Sequence, residues 1–492
     1  MPHTKAFALH QPTADETNGD HQAQSVEKAD RPTHLDDGVE LGYWGHDEQQ
    51  EQDHALTLVS ESRQEIASLL MTSRPPSVDS LARSLAHIGL PHPLLVDAAR
   101  QAIAAGDPQL AEKIAHDIAQ CLLVPVINAT GVIAHTNLGR SPVAHTQTAR
   151  AQNLEFDLTT GQRGSRQAGI GQLVARACGA ESAMVVNNNA AAVMLVLAAL
   201  ANDRDVAVSR GESVEIGGGF RVPEVMEQSG ARLLDVGTTN RTRLADYRKA
   251  IDRKTTDVAL VLKVHPSNYR VEGFVEETAV DQLATLGVTV VSDIGSGLLD
   301  AACPWLSDGP PNWLSGEPAV KQTLAAGADL VTFSGDKLMG GAQSGFIVGR
   351  ADLVQACAAH PLARALRPGG LVLASLHNTL MSYLARTAQK DIPFWRMATT
   401  SVGDLRNRAQ AIIQHSGVGK VVDCDSLPGA GSAPGVTIKS VGLSIEGDHL
   451  VALRRFQPPI IARVKDHTTM LDLRTVDPTD DAVLIEALQK IT

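Results

Sequence analysis

One lysine, Lys337, stands in the string Ser334-Gly-Asp-Lys-Leu-Met-Gly-Gly341, directly after the apolar run 330–333. The run predicts a short strand, and the small residues after it predict a tight turn. Open α/β sheets bind ligands at the carboxyl ends of their strands. A close-packed amine in that position loses hydration, which favours its neutral, nucleophilic form. Such a lysine can form a Schiff base with pyridoxal phosphate. The same residue types would also suit a surface lysine in a glycine-rich loop, so the neighbouring features must decide.

A pyridoxal phosphate site needs a carboxylate for the pyridine nitrogen, because a protonated ring is the electron sink. Asp293 closes the predicted strand 288–292 and is followed by Ile294-Gly-Ser-Gly297; a strand-end aspartate that only caps a turn would look the same. Asn187, Asn188 and Asn189 join a predicted strand, 184–186, to a helix running to Leu200. Backbone N–H groups at a helix start can hold a phosphate, whereas simple capping needs only one asparagine. Ser334 is a second candidate phosphate ligand. His265 follows the predicted strand 258–264 and suits either a ring-covering group or a structural hydrogen-bonder. The glycine-rich stretch 210–219 also follows a strand and could line the pocket. Lys263 is the competing lysine, but it lies inside a strand without a small-residue turn. Arg364 and Arg367 share one face if helical, and with Arg140 they offer three guanidinium groups for a phosphate or carboxylate. A solvated basic face is the other reading.

These residues need a scaffold. Predicted strands at 184–186, 206–209, 232–236, 258–264, 288–292, 330–333 and 346–348 alternate with Ala-rich helical segments. That alternation implies βαβ units and a mostly parallel sheet. Further strands near 436–438, 459–464 and 469–473, with a helix at 480–491, predict a smaller C-terminal α/β domain spanning residues 376–492. The large domain is expected over 126–375. Before it, residues 56–125 show helical spacing through Leu81, Leu85 and Ile88, then Ile114, Ile118 and Leu122, after a break and cap at Pro75-Pro76-Ser77.

Residues 1–55 carry 12 acidic and three basic residues, nine of the chain's twelve net negative charges. This stretch is poor in apolar residues and is expected to be a disordered acidic tail. The remaining chain keeps 40 Lys and Arg residues for basic patches. No apolar run approaches the ~20 residues of a membrane span, and no charged-then-apolar leader is seen. Five scattered cysteines without a C-x-x-C pair fit a reducing cytoplasm and no metal site.

Several strings together resemble the bacterial selenocysteine synthases, the L-seryl-tRNA(Sec) selenium transferases. They include Ile-Asn-Ala-Thr-Gly-Val-Ile-Ala-His-Thr-Asn-Leu-Gly-Arg140, Asn153-Leu-Glu-Phe-Asp-Leu-Thr-Thr-Gly-Gln-Arg, Ser209-Arg-Gly-Glu-Ser-Val-Glu-Ile-Gly-Gly, Lys263-Val-His-Pro-Ser-Asn-Tyr and Ser334-Gly-Asp-Lys-Leu-Met-Gly-Gly. The likeness runs from about residue 55 to the C-terminus. Ala342 and Ser344 are small departures in the turn after the lysine.

The resemblance implies a pyridoxal phosphate enzyme of fold type I, aspartate aminotransferase-like, that converts seryl-tRNA(Sec) to selenocysteinyl-tRNA(Sec) through an aminoacrylyl-tRNA intermediate. It implies Lys337 and Asp336 as catalytic residues. Lys337, Asp293, Asn187, Asn188, Asn189, Ser334 and His265 would hold the cofactor. Arg140, Arg364 and Arg367 would bind selenophosphate. The helical module would bind tRNA, and the chain would assemble as a decamer, a pentamer of dimers, with sites at subunit interfaces. Two rivals remain: a lyase of the same superfamily acting on a small amino or sugar acid, and a catalytically silent tRNA-binding scaffold.

Overall fold

The computed structural model describes residues 76–216 and 219–491. The expected acidic tail lies outside them, as does the first part of the helical module. The described residues form two compact units, divided between Leu122 and Leu123.

The first unit is three helices, Val78–Ser84, His92–Ala104 and Leu110–Cys121. Ser77 caps the first, its hydroxyl accepting from the Ser80 N–H at 3.2 Å, as the Pro-Pro-Ser break predicted. The buried core is built of Leu85, Leu95 and alanines such as Ala98, Ala102 and Ala115. Small side chains on the facing surfaces let the helix backbones come close.

The second unit contains β1 (Ile127–Asn128), β2 (Val132–Ala134), β3 (Ser182–Val186) and β4 (Asp205–Ser209). A short hairpin follows, β5 (Glu215–Ile216) with β6 (Phe220–Arg221). Next come β7 (Arg232–Val236), β8 (Val258–Val264), β9 (Thr289–Gly295), β10 (Leu330–Ser334) and β11 (Gly345–Gly349). The large sheet has the order β3-β11-β10-β9-β8-β4-β7. All its strands are parallel except β11, which runs antiparallel to both β10 and β3. All seven strands predicted for this region are present.

Parallel strands are buried on both faces and read as continuous apolar runs. Here alternate residues divide between two cores. Val185, Val331, Phe333 and Phe346 pack with Leu376 and Trp395. Met184, Val186, Leu330 and Ile347 pack with Leu195 and Val196 of the helix Asn189–Leu200. That helix lies on β11 and β10, which carries its N-terminus over the carboxyl end of β10. Gly345 permits the approach: a Cβ there would lie 2.0 Å from the Asn188 carbonyl oxygen.

The second sheet consists of β12 (Lys420–Gly429), β13 (Ile438–Glu446), β15 (Arg463–Lys465) and β16 (Thr468–Asp472), with β2 on its edge. β2 joins β12 in parallel, while the other pairings are antiparallel. β1 pairs separately with β14 (Ile460–Ile461). The strands predicted near 459–464 and 469–473 are found, and so is the closing helix, Asp481–Ile491, whereas the strand predicted near 436–438 starts only at Ile438 and runs on to Glu446. β12 was not predicted: much of it is exposed, and its sequence has no continuous apolar run. Among the described residues no helix is long and apolar enough to cross a membrane.

Candidate active site

Lys337 lies in the turn beyond β10 and is only 6% exposed. The turn is held from several sides. Ser141 Oγ donates to the Lys337 carbonyl at 2.9 Å, the Leu338 N–H donates to Ser296 O at 3.0 Å, and the Gly341 N–H donates to Gly335 O at 2.8 Å. Among the described residues the Lys337 amine makes no ion pair. Burial, reinforced by the Arg140 charge, lowers its pKa from 10.5 to about 8, against the pull of Asp293, Asp336 and Glu317. A substantial neutral fraction therefore exists near physiological pH.

Lys263 provides the contrast. Its amine bonds to Glu212 at 2.7 Å and Glu277 at 2.9 Å. Burial would lower its pKa, but the two carboxylates outweigh burial and raise it. This lysine is a locked cation. The Glu212 of the glycine-rich stretch is thereby explained as its structural partner.

Asp293, on β9, lies on the strand next to the lysine's own. The separation of 44 positions along the chain collapses into adjacent strands, with Asp293 in register with Thr332. Its Oδ1 accepts from Asn189 Nδ2 at 2.7 Å, the Gly295 N–H at 3.1 Å and Thr332 Oγ1 at 3.2 Å. Burial pushes its carboxyl up from the usual range, and these donors and the Lys337 charge pull it back down only in part. The cavity thus disfavours isolated charge of either sign.

The three asparagines do different work. Asn188 caps the helix Asn189–Leu200, accepting from the Ala191 N–H at 2.9 Å. Asn189 holds Asp293. Asn187 faces away, its amide oriented to donate to the carbonyls of Leu366 and Arg367. The backbone N–H groups of Asn189 and Ala190 have no partner among the described residues, and both residues line a 220 Å³ cavity with Lys337, Asp293, Ser334, Asp336 and Arg140. Free N–H groups at a helix start form an anion site.

Arg140 enters the same cavity with its Nε 3.3 Å from Asp336 Oδ2. It adopts φ 65° after Gly139, a left-handed turn that aims it there. Burial raises the Asp336 pKa, and Arg140 opposes the rise. Arg364 and Arg367 do not join it. They line a separate 800 Å³ cleft with Arg163 and Arg166, and Arg367 Nη1 is 3.5 Å from Glu155. His265 does not line the lysine cavity either. Its N–H donates to the Asp293 carbonyl at 2.8 Å, and its Nε2 lies 3.8 Å from Glu317 Oε1.

Sequence reasoning missed several residues at the site. Thr332 bonds Asp293 only through strand register. Ser267, 1% exposed with an unbonded hydroxyl, lines the cavity. Gly431, from the loop after β12, abuts the lysine: a Cβ there would lie 2.6 Å from Lys337 Nζ. Among the described residues no group of three or more His, Cys, Asp or Glu side chains could hold a metal ion.

The architecture matches known proteins. The structure of D-glucosaminate-6-phosphate ammonia-lyase aligns with a TM-score of 0.51 at 22% identity, over 75% of this chain and 96% of that one. The fold is therefore the fold type I architecture expected from the sequence. The L-seryl-tRNA(Sec) selenium transferase of Moorella thermoacetica is 45% identical over 411 residues, covering 78% of this chain and 85% of that protein. The enzyme of the same name from Geobacter sulfurreducens is 42% identical over 413 residues, covering 78% and 87%. The family model described as SelA, L-seryl-tRNA selenium transferase, matches residues 126–477. That span holds both sheets, the buried lysine and its carboxylate, and the chain belongs to the L-seryl-tRNA selenium transferase family.

Proposed function

We propose that the cavity around Lys337 is the site where seryl-tRNA(Sec) becomes selenocysteinyl-tRNA(Sec), with pyridoxal phosphate held by residues of this chain and selenophosphate as donor. The observation that carries this reading is the Lys337 amine: buried, without an ion pair among the described residues, and beside a buried carboxylate and helix N–H groups that have no partner among them. The residues fit the cofactor. Lys337 would bind its aldehyde carbon, Asp293 would face a protonated ring nitrogen, and the N–H groups of Asn189 and Ala190, with Ser334, would take its phosphate. When bound, pyridoxal phosphate supplies an electron sink for the seryl α-carbon, which allows the β-hydroxyl to leave and selenium to add at the β-carbon.

The chain's own residues account for the rest. As a free amine with its pKa lowered to about 8, Lys337 Nζ would be the base that accepts the α-proton. Asp293, fixed by Asn189, Thr332 and Gly295, stabilises positive charge opposite it. Arg140, oriented by Asp336, presents a cation to a phosphate-like donor.

Arg364 and Arg367 belong to the donor site in this reading, and their position in a separate cleft supports a site shared between subunits of a decamer built as a pentamer of dimers. The helical unit contributes tRNA binding, and the enzyme works in the cytoplasm, consistent with five free cysteines.

The test is the absorbance spectrum of the purified protein with and without seryl-tRNA(Sec), beside Lys337→Ala. A borohydride-reducible band that shifts with charged tRNA but not free serine, and is absent in the variant, is expected. A band responding only to a free amino or sugar acid would instead indicate a lyase. Mixing Lys337→Ala with Arg364→Ala subunits should restore activity if sites are shared.

A further inference from the structure

A second cavity, 390 Å³, adjoins the lysine site. It lies between β1, β2, the helix Pro393–Thr399 and the segment Arg474–Asp480. Of the other cavities described in this chain, it alone shares a wall residue with the lysine cavity, and that residue is Arg140.

The substrate's covalent structure requires a neighbouring space. Three bonds join the seryl α-carbon to the ribose of the tRNA's last nucleotide, roughly 4 Å at about 1.5 Å per bond. A serine seated beside Lys337 therefore leaves the terminal nucleoside just outside a cavity of only 220 Å³. The adjoining volume is within the range of about 300–1,000 Å³ typical of small-ligand pockets.

Its lining also suits a nucleobase, which has apolar faces and a polar edge. Leu138, Met397 and Val476 supply apolar wall. Arg396 is already paired with Asp477 at 3.0 Å, and Arg408 is paired with Asp481. The Asp480 carboxylate makes no ion pair or hydrogen bond among the described residues. Burial, then repulsion from Asp477 and Asp481, pushes its pKa up. It is an unused acceptor on this wall, where Arg474 Nε is also buried without a hydrogen-bond partner.

We propose that this cavity receives the 3′-terminal adenosine of the acylated tRNA. The exocyclic amine donates to Asp480, and the ester-linked serine passes Arg140 into the lysine cavity. This inference rests on the function proposed above and adds the subsite that positions the acceptor end.

The test compares binding of the trinucleotide CCA and the dinucleotide CC to the cofactor-loaded, full-length protein by calorimetry. CCA should bind about tenfold or more tighter than CC. Met397→Trp, which fills the cavity, should abolish the difference, and Asp480→Ala should reduce it. Both variants should retain the borohydride-reducible band and the wild-type melting temperature, which separates a lost subsite from misfolding. Equal binding of CCA and CC, no binding of CCA, or unchanged binding in Met397→Trp would overturn the inference. The spectral response to seryl-tRNA(Sec) is scored separately. Its absence while CCA still binds would count against the proposed reaction and leave the nucleoside site standing.

Discussion

The side-chain amide of Asn189 donates to Asp293 Oδ1 over 2.7 Å, although the two residues are 104 positions apart. This bond joins the start of the helix Asn189–Leu200 to the end of β9. The same helix turn presents the free N–H groups of Asn189 and Ala190 to the cavity. One contact therefore sets the spacing between a carboxylate for a ring nitrogen and an anion site for a phosphate.

Asn189→Ala removes one of three donors to a fully buried carboxylate. A hydrogen bond to a charged group contributes about 1.5–3 kcal/mol. Cofactor affinity should fall by about 10- to 150-fold, read by titrating the visible band of the apo-protein with pyridoxal phosphate. Affinity within twofold of wild type would mean that Thr332 and Gly295 alone hold Asp293.

Cofactor loading should follow the titration of Lys337. With a pKa of about 8, the neutral amine grows about tenfold per pH unit below pH 8 and levels off above it. Stopped-flow absorbance from pH 6.5 to 9.5 should show that profile. The sign for stability follows from the same depression. The unfolded lysine holds its proton up to about pH 10.5 while the folded one releases it near 8. The unfolded state thus binds more protons between those values, and this group makes the apo-protein more stable as pH rises from 8 to 10.5. Denaturant midpoints of wild type and Lys337→Met across that window would reveal the difference.

Arg140→Ala removes a positive charge that helps depress Lys337. The midpoint of the loading profile should move to higher pH, and the KM for the selenium donor should rise. An unchanged midpoint would show that burial alone sets the lysine.

Lys263→Met should leave cofactor binding intact while destabilising the protein. It strands Glu212, whose side chain is 8% exposed and which relies on this amine. Removing one partner of a buried pair costs about 3–5 kcal/mol, seen as a lowered melting temperature with the visible band preserved. Loss of the band at wild-type stability would reverse the assignment of the two lysines.

Much of the molecule was legible before folding. The seven strands of the large sheet are short, apolar and β-branched, so local pattern located them. The string after residues 330–333 marked Lys337 as a candidate, and Asp293 with the three asparagines favoured it over a surface lysine in a glycine-rich loop. The Ser77 cap and the closing helix are equally local. β12 escaped because a half-exposed strand carries no apolar run; it pairs with β13 and β2 through backbone contacts that side-chain pattern does not encode.

Residue types and spacing supplied an inventory: a lysine, a strand-end aspartate, three asparagines and three arginines on an α/β scaffold. How they divide was settled by folding. It gave Asn189 to Asp293, Asn188 to the helix cap and Asn187 to the Leu366–Arg367 carbonyls. It placed Arg140 beside Lys337 and put Arg364 and Arg367 in another cleft. It also lowered the Lys337 pKa while raising that of Lys263. The physical reason is that an amine's burial and the charges it meets depend on strand order and register, which bring together residues that no spacing along the chain connects.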